Sequence, residues 1–69
     1  MTASVNGEEQ ELPEGITLRG LVERLGANPL AVAVAVNGSV VPRAQHLEAR
    51  VSQGDRVEVI RAVGGDSSP

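Results

Sequence analysis

The chain predicts a small α+β roll, with one helix laid across a sheet of four or five strands. Three observations carry this reading: two hairpin signals, Asn6-Gly7 and Asn37-Gly38; one stretch whose apolar residues recur about every 3.6 positions; and a final β-patterned run from Arg56 to Val63. The resulting order is hairpin, helix, hairpin, strand. It gives one apolar helical stripe to cover one sheet face, and the helical connection between hairpins is expected to be a right-handed crossover.

Ala3-Ser4-Val5 forms the first short strand, and Asn6-Gly7 supplies the two positive φ values that a two-residue type I′ turn needs before residues 8–12 return. Pro13-Glu14-Gly15 stops the pairing. Thr17 stands at the N-cap position ahead of Leu18, Leu21, Val22 and Leu25, which share one helical face, and Gly26 suits the left-handed position after the helix. Gly20 weakens this helix by up to about 1 kcal/mol relative to Ala. In 31–36, Val32, Val34 and Val36 face one way and Ala31, Ala33 and Ala35 the other, as in a central strand. Ser39-Val40-Val41 returns and ends at Pro42. Residues 43–53 read as irregular or as a single helical turn. After the Gly54-Asp55 turn the last strand sets Val57 and Val59 on one face and Glu58 and Ile60 on the other. The domain is thus 1–63, and residues 64–69, Gly-Gly-Asp-Ser-Ser-Pro, carry no apolar side chain and are expected to form a flexible tail.

Composition narrows the function. A chain of 69 residues makes one domain worth roughly 3–10 kcal/mol, too little to carry a large strained cleft. It has no aromatic residue and a net charge of −3, so it lacks both the stacking surfaces and the electrostatics of a nucleic-acid binder. Without cysteine there is no thiol nucleophile, disulfide or thiolate metal site, and the single His46 cannot hold a metal alone. No apolar run is long enough to cross a bilayer, the first ten residues lack the pattern of a signal peptide, and the expected location is the cytoplasm.

Catalytic side chains are equally scarce. His46 reads as a partly exposed loop histidine. Glu8, Glu9 and Glu11 read as a charged guard on an edge strand, or as a patch that steers a basic partner. Gly64-Gly65 lacks the Lys-Ser/Thr and the following helix of a phosphate loop. The sequence therefore points away from an enzyme.

The tail carries a different signal. A domain of this length and element order, ending its last strand in Ala62-Val63-Gly64-Gly65, resembles the ubiquitin-like sulfur carriers of bacteria, above all their thiamine-biosynthesis branch. Val34-Ala-Val-Asn37-Gly-Ser-Val-Val-Pro-Arg43 and Gly54-Asp55-Arg56-Val57-Glu58-Val59 resemble two further segments of that family, so the likeness spans residues 3–65. It implies a β-grasp fold, a mixed sheet with one main helix on one face. It also implies that the Gly65 carboxylate is adenylated by an E1-like partner using Mg-ATP, then converted by persulfide sulfur to a thiocarboxylate. The acceptor would be a thiazole synthase. Gly64 and Gly65 would thread a narrow partner channel because they have no side chains to obstruct it.

A docking surface must accompany such a tail. By strand parity it would draw on Ala33, Ala35, Ile60 and Ala62 on the face away from the helix, together with Arg61 and Val63 beside the tail. Ile60 either anchors a partner there or packs under residues 43–53. Arg61 either pairs with an acidic partner surface or is solvated.

One feature departs from the family pattern: Asp66-Ser67-Ser68-Pro69 follows Gly65. An amide carbonyl cannot be adenylated, so a peptidase is expected to cut between Gly65 and Asp66 before the chain acts. This departure leaves other sulfur acceptors open, among them molybdopterin, cysteine or methionine synthesis and a secondary metabolite. It also leaves open a β-grasp interaction module with no covalent chemistry.

Overall fold

The computed structural model describes residues 1–61. Five strands form one mixed sheet: β1 (Thr2–Val5), β2 (Glu8–Glu11), β3 (Val32–Val36), β4 (Ser39–Val41) and β5 (Arg56–Arg61), ordered β2-β1-β5-β3-β4. A single α-helix, α1 (Leu18–Arg24), joins the two hairpins. The predicted elements are present within residues 1–61, the end of the predicted last strand at 62–63 and the predicted tail at 64–69 lie outside the described residues, and the strand order adds what the pattern left open. The last strand enters the middle of the sheet, parallel to β1 and antiparallel to β3.

Both turns take the conformation their sequence requires. Asn6 and Gly7 have φ of 54° and 85°, and Asn37 and Gly38 have 52° and 88°. The two asparagines also reach across the sheet. Asn37 Oδ1 accepts the Arg56 amide at 2.9 Å, its Nδ2 donates to Asp55 at 3.2 Å, and Asn6 Oδ1 accepts the Val59 amide at 2.8 Å. Each turn thus holds a point on β5 distant in sequence, a role that hairpin statistics do not reveal. Asn37→Ala removes the acceptor and places a Cβ residue without a polar side chain at positive φ. It is expected to cost about 2 kcal/mol, seen as a lower urea midpoint with unchanged slope.

Thr17 caps α1 as predicted, its Oγ1 accepting the Gly20 amide at 3.1 Å. Two more of the helix's first amides are met by the loop that follows β4: Leu18 donates to Ala49 O at 2.9 Å and Arg19 to His46 O at 3.0 Å. At the other end Gly26, at φ 76°, lets Ala27 donate back to Val22 O. Leu18, Leu21 and Val22 are fully buried against Ala3, Val5, Val32, Val34 and Val57 of the sheet. Leu12 and Val51, both outside regular elements, complete the core.

Residues 43–53 contain one 3-10 turn, Arg43–Gln45, and then fold over the start of α1. This corrects the expectation for His46. It is only 3% exposed, because the segment that carries it packs down to supply the helix caps. Its Nε2 donates to the Val41 carbonyl at 2.9 Å, and Nδ1 has no partner among the described residues.

Candidate functional site

The site is the outer face of the sheet and the end of β5, from which the chain runs on toward Gly64 and Gly65. Side chains alternate across each strand, and register partners share a face. Ala33 pairs with Ile60, and Ala35 lies between Glu58 on β5 and Val40 on β4. These five side chains therefore stand on the side of the sheet opposite α1.

Ile60 is 56% exposed, which excludes the alternative of packing under residues 43–53. Ala33 is exposed, and so is Arg61. Ala35, a predicted docking residue, is corrected: it is only 7% exposed, because its methyl group sits between its larger register partners Val40 and Glu58. Val40, 72% exposed, is the residue that the sequence reading missed. Its position opposite Ala35 across the second hairpin was the available signal. The predicted positions Ala62, Val63, Gly64, Gly65 and Asp66 lie outside the described residues.

Charge borders this apolar strip, and Glu58 stands within it, in register with Ala35. Glu9 and Glu11, in register with Ser4 and Thr2, lie on the same face at the β2 edge, and Arg56 and Glu58 stand on β5. All four are exposed. No group of three or more metal-binding side chains occurs among the described residues. No described helix is long and apolar enough to cross a membrane. An open pocket bordered by Met1, Gly15, Arg50 and Gln53 lies beside the start of β1. Because β5 runs parallel to β1, that is the end of the sheet opposite the one from which the tail departs. The described surface thus presents an apolar strip leading to the chain's exit and no clustered catalytic groups.

Comparison with known proteins agrees with this geometry. The chain is 33% identical over 67 residues to a thiazole synthase of Paramagnetospirillum magneticum, a match covering 97% of this chain and 21% of that protein. It is 36% identical over 69 residues to the thiazole synthase of Magnetococcus marinus, again covering 21% of the relative. The chain therefore spans about a fifth of the length of these relatives. A crystal structure of the thiamine biosynthesis protein ThiS from Geobacter metallireducens superposes with a TM-score of 0.80 at 30% identity, covering 88% of this chain and 93% of that one. That likeness identifies the sheet and helix as a β-grasp fold. The ThiS family model matches residues 2–65, nearly the whole sequence, and the chain belongs to the ThiS family.

Proposed function

We propose that this chain is a sulfur carrier of the thiamine pathway, delivering sulfur to thiazole synthesis from a thiocarboxylate on Gly65. Family membership supports this reading most directly. The two thiazole synthases support the acceptor, since a segment like this one occupies about a fifth of each of those polypeptides. In them, carrier and acceptor would belong to one gene product.

The chemistry resides in the backbone. Hydrolysis between Gly65 and Asp66 frees a carboxylate. An E1-like adenylyltransferase then joins it to AMP with release of pyrophosphate from Mg-ATP, and the terminal sulfur of a persulfide displaces the AMP to give an acyl disulfide. A second thiol of the partner or a low-molecular-weight thiol cleaves the S–S bond, freeing the thiocarboxylate and leaving a disulfide as the oxidised product. The carrier is a cosubstrate in these steps and the partners supply catalysis. Its own contribution is an obstacle-free terminus and a surface that places it. At about 3.3 Å per residue, four residues can span at most roughly 13 Å, which bounds the reach from Arg61 to Gly65. Ile60, Val40 and Ala33 form the apolar contact beside that reach, ringed by charged residues that set orientation.

The test is the intact mass of the protein recovered from its native cells under sulfur-demanding growth. The expected species ends at Gly65 and is heavier than its carboxylate form by the exchange of one oxygen for sulfur. Recovery solely of chains extending past Gly65 would overturn the carrier reading and favour a non-covalent β-grasp module.

A further inference from the structure

The two ladders of β5 have unequal lengths. Toward β3, β5 is paired from Val57 through Arg61. Toward β1, the register ends after Val57, because β1 turns away at Asn6-Gly7. The last regular bond on that side is Asn6 N to Val57 O at 2.9 Å. The next donor, the Val59 amide, is taken by the side chain of Asn6 in place of a strand. Alternation then directs the Val59 carbonyl and the Arg61 amide to the same side. Neither has a hydrogen-bond partner among the described residues.

This step differs from the two ordinary edges of the sheet. The β2 edge carries Glu8, Glu9 and Glu11, which discourage strand addition, and β4 is three residues long and stops at Pro42. The open side of β5 has neither safeguard. It lies three residues before Gly64, with exposed Ile60 between the two free groups. It therefore stands within four residues of Gly65 in the sequence, close to where a partner that takes up that residue would act.

We propose that this open step of β5, presenting the Val59 carbonyl and the Arg61 amide, is filled by an extended segment of the adenylating enzyme, which continues the sheet where β1 leaves off. In a parallel orientation a single partner residue satisfies both groups, its N–H donating to Val59 and its C=O accepting from Arg61. An apolar side chain over Ile60 and a carboxylate near Arg61 complete the match. The pairing rests on the carrier reading and gives it a mechanism: the tail is aligned by its backbone before it enters the active site.

The test compares Arg61→Pro with Arg61→Ala in the full chain matured at Gly65 in its native cells, using the E1-like adenylyltransferase of those cells with Mg-ATP as the probe. Both variants lack the guanidinium, and only proline lacks the amide; the β3 ladder uses the groups of Ile60 and is untouched. Arg61→Pro is expected to bind at least about fivefold more weakly than Arg61→Ala, the effect of one net backbone hydrogen bond. In the unsubstituted chain the Arg61 amide should exchange rapidly with solvent when free and slowly in the complex. Equal affinities of the two variants, or an Arg61 amide that stays unprotected in the complex, would overturn the pairing. If Arg61→Pro does not fold, the exchange result alone decides. Thiocarboxylate formation without Arg61 protection defeats this proposal and spares the carrier reading, whereas an unsubstituted chain that does not bind the adenylyltransferase defeats both.

Discussion

Gly65→Val, and likewise Gly64→Val, is expected to leave the fold intact while lowering adenylation, read as ATP–pyrophosphate exchange with the partner enzyme, by at least about a hundredfold. Two physical effects combine. On the carrier reading, a β-branched side chain would widen the tail in the partner's channel and restrict the φ and ψ values through which the terminus would reach the α-phosphate. Displacing reacting atoms by about 1 Å can itself cost on the order of a hundredfold. Among the described residues, every buried member of the hydrophobic core lies between Ala3 and Val57. The melting temperature should therefore stay near that of the unsubstituted protein. Normal exchange in either variant would remove the threading argument.

The second large effect concerns stability. Leu21 is fully buried where α1 meets the sheet, and Leu21→Ala is expected to cost about 2–5 kcal/mol. A domain of 69 residues has roughly 3–10 kcal/mol in total, so one truncation can consume most of the margin. There is no aromatic side chain to fill the space, and the core around it is closely built from Leu, Val and Ala side chains that would have to shift to close the cavity. A urea titration of Leu21→Ala should show a sharply lowered midpoint and a measurable unfolded fraction in buffer. A loss below about 1 kcal/mol would mean that α1 can shift to close the cavity.

Much of the fold could be read directly because its signals are local. Asn-Gly at both hairpins, the Thr17 cap, the Leu18-Leu21-Val22 stripe and the Ala-Val alternation in 31–36 all act within a few residues. The family was legible for a similar reason, since the segments that carry the resemblance, Ala62-Val63-Gly64-Gly65 among them, are short, and the ThiS family model matches residues 2–65. His46 was misread because its burial is not a local property. Nothing in Arg43-Ala-Gln-His-Leu-Glu48 indicates that this loop descends onto the helix start to meet the amides of Leu18 and Arg19. Val40 was missed and Ala35 overvalued for a related reason. Exposure on a sheet face depends on the size of the neighbours across two strands as well as on parity.

By itself, then, the sequence determined the element types, the turn geometry and the face of α1 that is buried. These follow from dihedral preference and periodicity, both of which operate over short stretches. Only the tertiary structure decided that β5 enters between β1 and β3, that Asn6 and Asn37 clamp it, and that its ladder toward β1 ends two residues after Val57 with the Asn6 side chain. Those features depend on residues separated by 19 to 53 positions coming into register, and hydrogen-bond pairing over such distances leaves no periodic mark on the chain.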